Sequence, residues 1–121
     1  MSGVQSCSLP IYELVFGYNE ARVQIYCDKR DETSNKFIFD HLKNHEESIQ
    51  EKFGDEELIW NRMEGLKGAQ VQCVKEFDGQ DKDNWPAMTA WMVDRITKLE
   101  LATRDSIAAA GRLLAAQKGS A

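Results

Sequence analysis

The stretch Ala21-Arg-Val-Gln-Ile-Tyr-Cys27 alternates between apolar and polar side chains, and it decides which fold the rest of the chain can adopt. In an extended chain Val23, Ile25 and Cys27 point to one side, and the polar residues between them point to the other. This pattern is typical of a strand with one face on a core and one face near water. The preceding run over residues 11–16 and the turn over residues 17–19 complete an antiparallel hairpin.

Apolar residues recur at helical spacing in the next segment. Residues 31–34 combine N-capping side chains with acidic ones, which is typical of a helix start. Steps of four, three, four and four residues then connect a stripe made of Ile38, Leu42, His45, Ile49 and Phe53. Gly54 supplies a stop. The spacing predicts one helix ending near Phe53, with His45 on the rim of the stripe and His41 in solvent.

A second hairpin and a long helix complete the predicted fold. Residues 58–63 and 69–77 are the arms of the hairpin, and residues 64–68 are its loop. Pro86 marks a helix start, because proline is tolerated in the first helical turn. The helical pattern continues to about Gln117, with an apolar stripe at Met88, Met92, Ile96 (or Arg95), Leu99, Thr103, Ile107, Ala110 and Leu114.

The order ββαββα predicts an α+β fold in which both hairpins form one sheet and two helices cover one of its faces. The length of 121 residues suits one domain. We expect that domain to span residues 11–117, with a flexible lead over residues 1–10 and a flexible tail over residues 118–121.

The last helix is long for a domain of this size. About 30 residues of helix span about 45 Å, whereas a compact domain of this length is about 35 Å across. The helix should therefore overhang the domain, break near Gly111, or pack on another copy of the chain. We expect a homodimer through this helix, with the interaction residues Trp91, Leu99, Ile107, Leu113 and Leu114.

Charge and cysteine usage exclude several classes of function. The 20 acidic and 15 basic residues give a net charge of -5, which disfavours direct nucleic-acid binding. The three cysteines form no CxxC pair and are expected to be buried thiols rather than zinc ligands. Neither a signal peptide nor a membrane-spanning stretch is recognisable. A cytoplasmic protein without a cofactor or a membrane partner is the expectation.

No motif in the sequence predicts catalysis. A restriction-type nuclease site needs an acidic residue two positions before a lysine, and none of the nine lysines has one. His41 and His45 have the spacing of a metal-binding pair but lack an evident third ligand. The carboxylates of Asp78, Asp81 and Asp83 lack the alternation of a calcium loop. We therefore expect a protein that is not an enzyme.

Four segments resemble a bacterial domain family of unknown function, number 4268. They are residues 21–28, with alternating apolar residues before Tyr-Cys-Asp; residues 35–40, Asn-Lys-Phe-Ile-Phe-Asp; residues 49–54, ending in Phe-Gly; and residues 58–60, Leu-Ile-Trp. Asn84-Trp85-Pro86 and Leu99-Glu100 also fit the family pattern. The resemblance covers about residues 10–110 and carries no catalytic motif. It implies a context, because such domains often follow restriction-endonuclease-like nuclease domains.

Three functions are compatible with these observations. The first is a non-catalytic interaction and dimerisation module of a nuclease-associated, defence-related bacterial system, with a nuclease as protein partner. The second is a small acidic inhibitor of the phage type, which would occupy the basic channel of a defence nuclease with Glu46, Glu47, Glu51, Asp55, Glu56 and Glu57. The third is a metal-dependent hydrolase built on His41 and His45.

Overall fold

A computed structural model of the chain describes residues 10–28 and 31–119. In chain order the elements are β1 (Ile11–Phe16), β2 (Glu20–Cys27), α1 (Glu32–Lys43), α2 (Glu46–Phe53), β3 (Ile59–Asn61), β4 (Ala69–Glu76) and α3 (Trp85–Gly119). The predicted α+β fold with a long last helix is confirmed. The predicted flexible lead and tail lie mostly outside the described residues, although α3 continues to Gly119.

The four strands form one antiparallel sheet in the order β1-β2-β4-β3. Strand β2 is central, and its alternating pattern has the predicted effect. Val23 lies opposite Cys73, and Ile25 lies opposite Val71. All four side chains are buried on the face that the helices cover. Burial of this face excludes a slip of one residue, because a slip would turn the apolar set toward water.

The prediction of a single helix that starts within residues 31–34 and ends near Phe53 is wrong in one respect, since a turn at Asn44 and His45 divides it into α1 and α2. The amide of His45 donates to the Leu42 carbonyl at 2.9 Å, which ends α1, and the His45 carbonyl accepts from Ile49 to begin α2. The break rotates the second half of the apolar stripe. As a result His41 is half-buried and His45 is exposed, the reverse of the expectation.

Helix α3 is one unbroken helix of 35 residues and is therefore about 52 Å long. It runs through Gly111 without a break, contrary to one of the three alternatives. The stripe predicted for its core face is buried from Met88 to Leu114, and Arg95 rather than Ile96 takes the position that the sequence left open. The helix is tied to the sheet by a 2.8 Å hydrogen bond between the hydroxyls of Tyr12 and Thr103.

Within the described residues, none of the helices combines the length and the apolarity that a membrane span requires.

The turn of the first hairpin packs directly on the loop that follows β4. The amide of Gly79 donates to the Tyr18 carbonyl at 2.7 Å, and the amide of Phe77 donates to the Asn19 carbonyl at 3.1 Å. Gly79 is buried, and a Cβ atom at that position would lie 2.1 Å from the Gly17 carbonyl oxygen. The close contact between these two backbones therefore requires glycine at position 79.

We expect the substitution Gly79→Ala to destabilise the fold by about 1–3 kcal/mol, because the hairpin turn and the loop must separate to admit the methyl group. The measurement is urea unfolding followed by circular dichroism. The control is Gln80→Ala at the exposed neighbouring position, which should change the free energy of unfolding by less than about 0.5 kcal/mol. Equal stability of Gly79→Ala and the wild type would contradict the packing described here.

Candidate functional site

A buried lysine holds the β3–β4 connection to α1. The Lys36 ammonium donates to the backbone carbonyls of Arg62, Met63 and Gly68. Lys36 extends from α1 and is buried, which is unusual for lysine. All three of its acceptors belong to the loop that joins β3 to β4. A buried ammonium needs its hydrogen bonds filled, and here main-chain oxygens fill them.

Asn35 and Asp40, which lie near Lys36 on α1, add further bonds to the same loop. We call the contacts of Asn35, Lys36 and Asp40 with residues 62–68 the Lys36 clamp. The Asn35 amide donates to the Lys67 carbonyl at 3.0 Å. Arg62 makes a bidentate contact with the carboxylate of Asp40, at 2.8 and 2.9 Å, and this contact holds the pKa of Asp40 below its usual value. One turn of α1 therefore fixes residues 62–68 through both main-chain and side-chain bonds.

The rings of the two histidines lie close together. The rings of His41 and His45 are 5.1 Å apart between centroids and lie edge to face. Partial burial, followed by the nearby His45, lowers the pKa of His41. In the described part of the chain no three His, Cys, Asp or Glu side chains converge as metal ligands. Among those side chains, the pair has no third ligand of the kind that a hydrolytic metal centre needs.

Two of the three aspartates after β4 act as turn and capping residues. The Asp78 carboxylate accepts from the Gln80 amide at 3.1 Å, and the Asp81 carboxylate accepts from the Asp83 amide at 3.0 Å. Such bonds are an ordinary use of aspartate in turns.

In the predicted acidic surface, the half-buried Glu56 is engaged in contacts with α3. Glu56 accepts from the Trp91 indole at 3.1 Å and pairs with Arg95 at 3.1 Å, and it thereby fastens the end of α2 to α3. Glu46 is half-buried and pairs with Lys43 at 2.8 Å. The remaining carboxylates are exposed on and just after α2, at Glu47, Glu51, Asp55 and Glu57.

The predicted interface residues on the last helix need correction. Leu99, Ile107 and Leu114 are buried in the core of this chain, because the sheet and the first two helices already cover that stripe of α3. Trp91 is half-buried against Phe77, with 6.2 Å between the ring centroids. Among the five residues, Leu113 alone is exposed.

A different stripe of α3 faces solvent. We call it the outer stripe, and its members follow one another at intervals of three or four residues: Ala90, Val93, Thr97, Leu101, Arg104, Ala108, Gly111 and Ala115. Six of the eight are small or apolar, and all except the half-buried Gly111 are exposed. Intervals of three and four are those of a helix that packs along its length on another helix. The spacing of the outer stripe can be read from the sequence, but the core stripe on the same helix is more apolar and dominates the pattern.

The family model described as Domain of unknown function (DUF4268) matches residues 2–107. The chain belongs to this family. No curated protein and no solved structure matches the chain. The Asn35–Asp40 segment is one of the segments that resemble the DUF4268 family. It has a structural role in this chain, since Asn35, Lys36 and Asp40 all belong to the Lys36 clamp.

We expect Lys36→Met to destabilise the fold by about 3 kcal/mol, because it removes the ammonium from which three buried carbonyl oxygens accept, and of these the Met63 oxygen keeps the Leu66 amide as a donor. Guanidinium unfolding provides the measurement. Lys52→Met removes an exposed lysine from α2 and serves as the control, with a change of less than about 0.5 kcal/mol. If both variants unfold at the same denaturant concentration, Lys36 does not act as a clamp.

The buried cysteines should resist alkylation. Burial raises the pKa of Cys73 to about 11 and that of Cys27 to about 12, so at pH 8 almost no thiolate is present. In a Cys7→Ser background we expect iodoacetamide to modify the native protein at least about a hundredfold more slowly than the unfolded protein. Equal labelling rates in both states would contradict this arrangement.

The raised pKa values of Cys27 and Cys73 also predict how the free energy of unfolding depends on pH. The contribution of the two neutral thiols is complete below pH 9 and is lost as the pH rises toward 12.

Proposed function

We propose that this protein is a non-catalytic interaction module in which two copies pair through the outer stripe of α3. Within its family it would serve a nuclease-associated bacterial defence system, with a nuclease as protein partner. The observation that carries the pairing is the coexistence of two apolar stripes on one helix of 35 residues. The core uses one stripe, and the other remains in solvent.

The composition of the outer stripe suits a close helix pair. Alanine and glycine at Ala90, Ala108, Gly111 and Ala115 allow two backbones to approach, and Val93 and Leu101 supply apolar area in the first half of the helix. Leu101 is 57% exposed, which is a high value for leucine in the centre of a long helix. Covering such side chains with a second copy removes apolar surface from water.

The charges along this face favour self-association. Asp94, Glu100 and Asp105 alternate with Lys98, Arg104 and Arg112, so the face has no net charge although the whole chain carries -5. Two copies can therefore approach without the repulsion that their acidic surfaces would impose elsewhere.

The substitution Leu101→Glu should convert a dimer of about twice 13.8 kDa into a monomer, because it places a carboxylate in the middle of the helix pair. Light scattering over a concentration series measures the mass. Leu66→Glu, at an equally exposed leucine in the β3–β4 connection, is the control and should remain a dimer.

Two results would contradict the proposal. One is a wild-type protein that stays monomeric at every concentration. The other is a dimer that survives Leu101→Glu, or that Leu66→Glu disrupts equally. Circular dichroism of each variant confirms that the fold is retained, which is expected because both leucines lie outside the core.

A further inference from the structure

Three aromatic side chains are exposed together where the first hairpin turn meets the start of α3. Phe16 is 43% exposed, Tyr18 is 73% exposed and Trp85 is 42% exposed. With Gly17 and Gly79 they line a hollow of about 280 Å³, which we call the aromatic hollow. Large aromatic residues that remain in water as a group are typical of protein interaction surfaces.

The aromatic hollow is held rigidly. Phe16 and Trp85 pack edge to face with 5.7 Å between the ring centroids, and the Trp85 indole donates to the Gly79 carbonyl at 2.8 Å. Its floor is the contact between the hairpin turn and the Gly79 loop, which main-chain hydrogen bonds fasten. A surface that is ordered before binding loses little conformational entropy when a partner arrives.

A second hollow borders the same backbone contact. It measures about 510 Å³ and is lined by Asn19, Glu20, Glu76, Phe77 and Asp78, and we call it the acidic hollow. Glu20 and Glu76 lie directly opposite each other on β2 and β4. Like charges in that position repel, so the sheet end is less stable than it would be with a neutral pair. Arg22 contacts Glu20 at 3.3 Å, and no ion pair to Glu76 or Asp78 occurs among the described side chains.

The acidic hollow suits a side-chain cation better than a metal ion. In the portion of the chain that the structure describes, its carboxylates are not part of any cluster of metal ligands. A lysine or arginine needs only a region of negative potential and one or two acceptors, which an open hollow supplies. Nucleic acid is disfavoured here, since its phosphates would meet the same carboxylates.

We propose that the two hollows together bind an extended segment of another protein that carries a lysine or arginine close to an apolar residue. The basic side chain enters the acidic hollow, and the apolar side chain enters the aromatic hollow. The two hollows are lined by residues outside the outer stripe. The proposal rests on the proposed interaction role and adds the chemistry of the partner segment, which is a basic residue close to an apolar one. A dimer would present two such surfaces.

Fluorescence anisotropy with labelled peptides tests this proposal. The probes are Gly-Ser peptides that carry one Arg and one Phe separated by zero to three residues. We expect at least one spacing to bind with a Kd below about 1 mM. Replacing its Arg by Glu or its Phe by Ser should weaken binding by about tenfold or more, and added salt should weaken it as well.

Protein variants assign the two halves of the surface. Tyr18→Ser and Glu76→Gln should each weaken the best peptide by about fivefold or more, and both side chains are exposed, so the fold should remain intact. Leu66→Ser and Glu51→Gln are the matched controls for an exposed apolar and an exposed acidic residue, and they should bind as the wild type does.

Three outcomes would overturn the proposal. They are the failure of every spacing to bind below about 5 mM, unchanged binding by Tyr18→Ser, and a loss with Tyr18→Ser but none with Glu76→Gln. The last outcome would reduce the surface to unspecific apolar contact. The variant Leu101→Glu should bind the peptide normally, so failure of the dimer and failure of the docking surface give different results.

Discussion

Burial of one stripe along α3 is the interaction on which the rest of this structure depends. The sheet packs against it through β1 and β2, and both shorter helices pack against its flanks. Removing the apolar side chains between Met88 and Leu114 from water is a large favourable contribution to folding. Polar contacts then set the angles between the layers. Tyr12 meets Thr103 at the sheet, and Glu56 meets Trp91 and Arg95 beside α2.

Much of the fold could be predicted because it follows from spacing. The alternation in β2 and the core stripe of α3 are long patterns, and long patterns identify elements well. The break at Asn44 could not be predicted in this way, because the apolar residues before and after it keep a nearly helical interval. The contacts of Glu56 with α3 could not be predicted from the sequence either. Its neighbours in the sequence are carboxylates, and its use as an anchor depends on Trp91 and Arg95, which lie more than thirty residues away.

The proposed interaction surfaces show the same division between local pattern and tertiary packing. The length of α3 indicated an interface on that helix, but the residues chosen from the sequence were those with the strongest apolar character, and the core uses most of them. The outer stripe is weaker in composition, and it became evident only when the buried face was known. The aromatic and acidic hollows had no sequence signal at all, since they combine a hairpin turn with a loop nearly sixty residues later.

The Lys36 clamp has a consequence for how this protein can vary. Its acceptors are main-chain oxygens, so Lys36 recognises the path of the backbone and not the identity of the side chains along it. Leu66 and Lys67 lie in that connection with exposed side chains. The side chains at positions 66 and 67 can therefore be exchanged while the loop keeps its shape. The conformation of the loop between β3 and β4 is in this sense independent of the side chains that it exposes there.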